Sequence, residues 1–458
     1  AVFHMNEGHA AFLTLELIRE KMAAGLSFAE AQAATRDECL FTTHTPVEAG
    51  HDRFTSDLMR HVAHKFCDHL KLTHDELMAL GRVRPDDPSE PFCMTVLALK
   101  HSRAANAVSE LHGQVSRKMW HALYPDRPVE QVPIGHITNG VHLLGWMKGR
   151  VRKFWRDRVH QAVAHNGNIL ARTAHLYADE ANSPEFWTAL ADPATVSDEE
   201  LWALRYELRR ELIEFARRRL LLQCERFTPT AFIEYDHLLN PDALTIGFAR
   251  RFATYKRATL LFRHCDQIVT LARDRRRPVQ FIFAGKAHPR DDEGKRLLQH
   301  IRHLAQHSEL RGHLVFLENY DMHVARQMVS GCDVWLNNPR RPLEASGTSG
   351  MKCGVHGCLN LSILDGWWRE GYDGTNGFAI GEDSHPESVE EQDRLDSANL
   401  YKVLTNEVIP LFFDRDERGI PRKWIQRIRR AMVTLVPAFT TDRMVREYVQ
   451  KYYLPRES

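Results

Sequence analysis

Apolar residues recur at helical spacing through the first half of the chain. Phe12, Leu15 and Ile18, with Leu17 and Met22, share one face, and similar patterns return around 55–80 and 103–123. Ser197-Asp-Glu-Glu200 predicts a capping box opening a long helix, with Leu201, Leu204, Leu208, Leu212 and Phe215 as its stripe. The arginines of that helix (Arg209, Arg210, Arg217, Arg218, Arg219) alternate with glutamates, which predicts a solvated face. Near Pro241 the rhythm changes. Strand-like runs at 243–249, 279–285, 314–318, 333–336 and 359–364 alternate with helical stretches at 256–274, 292–307 and 321–331. That alternation predicts an α/β fold with a doubly wound parallel sheet, whose ligands bind outside the carboxyl ends of the strands. A helical tail begins at Lys423, with Met444, Tyr448 and Tyr452 as a stripe after a break at Pro437. The expected divisions are a helix-rich domain at 1–238, the sheet domain at 239–430, and a C-terminal helix at 431–458 packing across them.

Charge and cysteine content narrow the picture. Basic and acidic side chains nearly cancel, 61 against 60, so neither a nucleic-acid nor a membrane footprint is expected and electrostatic chemistry must be local. Eight cysteines scattered over 458 residues read as reduced, cytosolic thiols. No apolar run approaches the roughly 18 residues of a membrane span. A soluble, cytoplasmic chain is expected. Ala1 is not a methionine and a helical pattern follows almost at once, which leads us to expect a fragment whose first part is missing.

Two stretches could carry chemistry. After the strand at 243–249 come Arg250, Arg251, Tyr255, Lys256 and Arg257, and then a helix. A strand end, several cations and a helix N-terminus together predict an anion site, against the alternative of a solvated basic turn. The second stretch is EASGTSGMKCGVHG, Glu344 to Gly357, in which small residues precede Lys352. A flexible linker is one reading. The other is a helix beginning within Gly347–Gly350, where backbone N–H groups and the Thr348 hydroxyl hold a phosphate and Lys352 meets an aldehyde. A phosphate and an aldehyde on one ligand describe pyridoxal phosphate; a sugar-nucleotide diphosphate would suit the same loop. Cys353, His356 and Cys358 lack a second pair at zinc-site spacing, so no metal is expected. His44 in FTTHTPVEAGH is a donor to a hydroxylated substrate or a structural histidine, and Asn139 in HITNGVH a turn residue or a ligand contact. The aromatic stretch 366–378 reads as a packed loop rather than a sugar platform.

Taken in order, these motifs resemble the α-glucan phosphorylases, closest to their shorter bacterial and archaeal type. LEASGTSGMK (343–352) is similar to that family's cofactor-lysine signature and GFARRFATYKR (247–257) to its substrate-phosphate segment. FTTHTPVEAG (41–50), HMNEGHAA (4–11), AVSELHG (107–113) and HITNGVH (136–142) match further landmarks in the same order. The resemblance implies a GT-B-like fold, two Rossmann-like domains facing a cleft, with the N-terminal one incomplete here. It implies that Lys352 carries pyridoxal phosphate as an imine, with Gly347, Thr348 and Arg250 holding the cofactor phosphate; many members have lysine in place of Arg250. Arg251 and Lys256 would bind inorganic phosphate. His44, Asn139, Tyr255, Glu344 and Ser346 would contact the terminal glucose, with His9 and Glu7 near the substrate entrance. The implied reaction transfers the terminal glucose of glycogen or maltodextrin to inorganic phosphate with retention, giving α-glucose 1-phosphate, the cofactor phosphate serving as the acid/base group.

The family's glycine-rich loop over the cofactor has no counterpart in 1–458, so low activity is expected of this chain alone. Two rivals remain at this level: a sugar-nucleotide glycosyltransferase of the same architecture, and a non-catalytic glucan-binding protein that leaves Lys352 unmodified. Glucan length, a homo-oligomeric state, effectors and the direction of flux are left open by the sequence.

Overall fold

Strands of three or four residues offer too short a run for alternation to be read, and four such parallel strands lie in the half of the chain expected to be helix-rich. The computed structural model describes residues 1–166, 183–227, 238–381, 386 and 388–454. By its contacts the chain forms two compact units, one of residues 1–139, 342–346 and 444–458, the other of 140–341 and 347–443. In the first, strands Phe3–Asn6 (β1), Cys39–Thr42 (β2), Ala104–Ala107 (β5) and Ile134–His136 (β6) make a parallel sheet in the order β1-β2-β5-β6. Arg53–Phe54 (β3) and Phe92–Cys93 (β4) pair antiparallel beside it. The helix expected across 103–123 therefore starts only at Glu110, because Ala104–Ala107 is paired on both sides.

Met5, Leu15, Ile18, Phe41 and Leu97 bury together as the core of this unit. The tail of the chain returns to it through hydroxyl groups. Tyr453 Oη lies 2.7 Å from His4 Nδ1, and Asn106 Nδ2 donates to Tyr448 Oη at 3.0 Å.

The second unit carries the sheet expected from 241 onward. Its strands are Leu244–Phe252 (β7), Val279–Ala287 (β8), Leu314–Leu317 (β9), Val334–Asn337 (β10), Leu359–Ile363 (β11) and Phe378–Ile380 (β12). All neighbours run parallel, in the order β12-β11-β10-β7-β8-β9. Counting from β7, that is 3-2-1-4-5-6 reversed end for end, the order of dinucleotide-binding sheets, with its switch between β7 and β10. Phe248 stacks on Phe283 across β7 and β8 at 5.1 Å, part of the apolar layer on one face.

The second unit begins at Gly140, and the helix Arg422–Leu435 is continuous through position 430. One expectation is corrected here. The long helix Asp198–Phe227 does open with the Ser197–Glu200 capping box, but its arginines do not form a solvated face throughout. Arg209 is buried, and Arg217 donates to the Leu238 and Leu239 carbonyls, whereas Arg210 keeps an exposed ion pair with Glu207.

The buried arginines converge on one carboxylate. Asp333 Oδ1 accepts from Arg209 at 2.7 Å and from Arg205 at 3.3 Å, and Oδ2 accepts the Thr245 N–H at 3.0 Å. Both ends of this pairing are desolvated, so removing one partner strands buried charge. We expect Asp333→Ala to destabilise the second unit by about 3–5 kcal/mol, measured by urea unfolding; an unchanged midpoint would contradict this role.

Candidate active site

At the switch between β7 and β10, two segments extend beyond the carboxyl ends of neighbouring strands. Strand β7 is longer than expected and carries Arg250 and Arg251 near its end. The anticipated helix N-terminus at Lys256 is absent: a short 3-10 turn spans Thr254–Lys256, and the α-helix begins only at Cys265. Anion binding here must therefore rest on side-chain charge and not on a helix dipole. Arg251 is exposed, whereas Lys256 is 7% exposed with its Nζ 4.5 Å above the Tyr255 ring.

Arg257 fixes these two segments to each other, a role with no signal in the local sequence. It adopts a left-handed φ of 50°, costly for a non-glycine residue unless the surroundings hold it. Its Nε and NH2 donate to the Asn338 and Pro339 carbonyls at 2.8 Å each. NH1 reaches Asp393 at 2.9 Å and NH2 reaches Asp396 at 2.8 Å. Asn338 Nδ2 returns a bond to the Arg257 carbonyl, and Arg340 N–H donates to the Tyr255 carbonyl at 2.7 Å. The turn carrying Tyr255 and Lys256 is thus tied to the chain leaving β10.

That chain leads to Lys352. The expected helix within Gly347–Gly350 is instead a pair of 3-10 turns, Gly350–Lys352 and Gly354–His356. Gly347 has a φ of 84°, which a side chain would resist. The N–H groups of Gly347, Thr348 and Ser349 are not spent on hydrogen bonds among the described residues. Ser349 Oγ accepts from Trp335 Nε1 at 3.1 Å and the Gly350 carbonyl from Asn360 Nδ2 at 3.2 Å, which pins the loop to β10 and β11. Lys352 is partly buried, has no carboxylate partner among the described residues, and places its Nζ 3.9 Å from the Trp146 ring centroid. Burial holds its amine below the usual lysine range. Sequence reasoning misses Trp146, because nothing in GWMKG distinguishes it.

The remaining expected residues belong to the first unit. Glu7 is committed: its φ is 80°, and its carboxylate accepts the Gly8 and His44 N–H groups at 2.9 and 2.7 Å and the Thr45 hydroxyl at 2.9 Å. It shapes the His44 turn, a task that leaves it little capacity for a sugar. His44 Nε2 donates to Asn6 Oδ1 at 2.5 Å, and burial lowers its pKa, with the His9 charge adding and Glu7 opposing. His9 is exposed on the 3-10 turn Gly8–Ala10. Asn139 N–H donates to the Val108 carbonyl. Glu344 and Ser346 are buried, and the Ala345 carbonyl between them accepts the Ser109 hydroxyl at 2.6 Å. His112, buried with a pKa pushed down to about 4, is not singled out by the sequence. In the second unit, Trp367 and Trp368 are buried against Phe439 and Tyr372, so the aromatic stretch is packed as expected, but Trp367–Gly371 within it is a short α-helix and not a loop.

The lowered amine pKa has a measurable sign. The unfolded chain holds this proton more tightly than the folded one, so stability rises with pH between the folded and unfolded values. Competitive acylation across a pH series should give Lys352 a titration midpoint below the ordinary lysine value. A midpoint at the ordinary value would refute the burial argument.

Residues 225–386 match the family model described as carbohydrate phosphorylase. The chain is 41% identical, over 99% of its length, to a maltodextrin phosphorylase of Thermococcus litoralis, of which it covers 51%. It is 43% identical over 99% of its length to a glycogen phosphorylase of Mycobacterium tuberculosis, covering 51% of that protein. A glycogen phosphorylase of Aquifex aeolicus is 38% identical over 98% of the chain, with 62% of its own length covered. The chain thus spans about half the length of the first two relatives and somewhat more of the third. Along the stretch it shares with them, this chain is similar to these maltodextrin and glycogen phosphorylases.

Proposed function

We propose that the protein to which this sequence belongs is an α-1,4-glucan phosphorylase that moves a terminal glucose onto inorganic phosphate and retains the anomeric configuration. The observation that carries the reading is the arrangement before and at Lys352. Three consecutive backbone N–H groups stand uncommitted among the described residues, and a partly buried amine without a carboxylate partner follows within one turn. A run of free donors suits a phosphate, and an amine that deprotonates readily suits an aldehyde. This donor set fits pyridoxal phosphate. Gly347, Thr348 and Arg250 would hold its phosphate and Lys352 its aldehyde carbon; once bound, it would supply a phosphoryl group able to give and take a proton.

The chain's own residues then have distinct tasks. Arg251 and Lys256 hold the substrate phosphate and offset its repulsion by a neighbouring phosphoryl group, which at close range in a poorly solvated site amounts to several kcal/mol. The Arg257 bonds to Asp393 and Asp396 hold the turn bearing Lys256 in place for that contact. His44, Asn139, Tyr255, Glu344 and Ser346 orient hydroxyl groups of the terminal sugar, an entropic contribution. Since Glu7 is spent on the His44 turn, its part is to position His44. The doubly wound reading is supported by the strand order around β7 and β10; two Rossmann-like domains facing a cleft, and a cytoplasmic location, rest on the family likeness alone.

The test is chemical. After incubation with pyridoxal phosphate and reduction with borohydride, the peptide containing Lys352 should gain a pyridoxyl mass, and Lys352→Arg should abolish it. An unmodified Lys352 under saturating cofactor would overturn the assignment and leave a sugar-nucleotide site as the better reading of the loop.

A further inference from the structure

Two backbone segments meet at Lys352, and a single side chain joins them. The Lys148 N–H lies 3.2 Å from His356 Nε2, so that nitrogen is the acceptor. The ring proton then sits on Nδ1, which donates to the Lys352 carbonyl at 2.9 Å. Both nitrogens are committed and the imidazole is neutral. Lys148 stands two residues after Trp146, whose ring covers the Lys352 amine. In the sequence this histidine stands out only as part of a metal-like spacing; with both nitrogens engaged in this way, it has no lone pair to offer a metal.

We propose that His356 is a positioning residue that holds the Lys352 amine against the Trp146 ring by joining the backbones that carry them. The surroundings make the bridge stiff. Arg205 donates to the His356 carbonyl at 2.9 Å, and Trp155 Nε1 donates to the Val355 carbonyl at 3.2 Å. Lys148 Nζ is held by Glu211 at 2.5 Å and by Gln327 at 2.8 Å. Burial keeps the imidazole neutral, with a pKa pushed down to about 3, so the bridge persists through the pH range in which the amine titrates. Without the ring bonds, the Trp146 turn and the lysine backbone are left with no direct hydrogen bond between them among the described residues, and the amine gains access to water. The consequence for cofactor capture rests on the reading of Lys352 given above, but the bridge itself does not.

Competitive acylation of the chain without added cofactor separates the two. In His356→Phe, which fills the space without either bond, and in His356→Ala, the Lys352 midpoint should rise toward the ordinary lysine value. A rise of one unit lowers the neutral fraction about tenfold at a fixed pH below both values. His356→Gln, which keeps a donor and an acceptor, should retain most of the wild-type midpoint. Trp155→Phe removes a bond to the same 3-10 turn but not the bridge, and should lower stability while leaving the midpoint in place. An unmoved midpoint in whichever of the Phe and Ala variants folds, or an equal shift in Trp155→Phe, would overturn the proposal. Failure of pyridoxyl transfer with the midpoint behaving as expected would instead count against the cofactor reading.

Discussion

A single buried carboxylate organises the second unit. Asp333 takes Arg205 and Arg209 from the long helix on one oxygen and the Thr245 N–H at the start of β7 on the other. Removing three such charges from water is expensive, and their attraction offsets that cost only when the remaining donors are satisfied as well. Here they are largely satisfied. Arg205 reaches the carbonyls of Ser330, Gly331, Cys332 and His356, and Arg209 that of Pro241. The effect is one of placement: one helix, two strands and the end of the lysine-bearing turn are fixed in a single register.

That register reaches the site through two further buried polar devices. Arg257, paired with Asp393 and Asp396, ties the basic turn after β7 to the chain leaving β10. His356 ties the turn of Lys352 to the segment bearing Trp146. The cations proposed to meet phosphate and the amine proposed to meet an aldehyde are therefore carried on short 3-10 turns that have little stability of their own. Their rigidity is borrowed from buried ion pairs and from an imidazole, each anchored in the sheet or in the helices beside it.

The long strands were legible because they carry a strong local signal. Leu244–Phe252 and Val279–Ala287 are apolar runs flanked by turn residues, and helices separate them at crossover spacing. The four-residue strands Phe3–Asn6, Cys39–Thr42 and Ala104–Ala107 were not, since so short a run carries too few positions to show a strand period. The helix starts expected at Lys256 and within Gly347–Gly350 failed for a different reason. Small and basic residues after a strand are compatible with a helix N-terminus, but here Arg257 takes a left-handed conformation and ends the first turn at once.

What the sequence determined by itself is the chemistry on offer: which cations follow β7, which small residues precede Lys352, and an apolar pattern that obliges a parallel sheet to form. Those properties are local, set by side-chain type and by the spacing along a strand or turn. Only the tertiary structure decided that Arg209 is a buried anchor and not part of a solvated face, that Glu7 shapes a turn, and that Trp146 and His356 attend the lysine. Each of these depends on a partner roughly 40 to 200 residues distant along the chain, and no local pattern records such a pairing, because burial and desolvation are properties of the packed assembly and not of the segment.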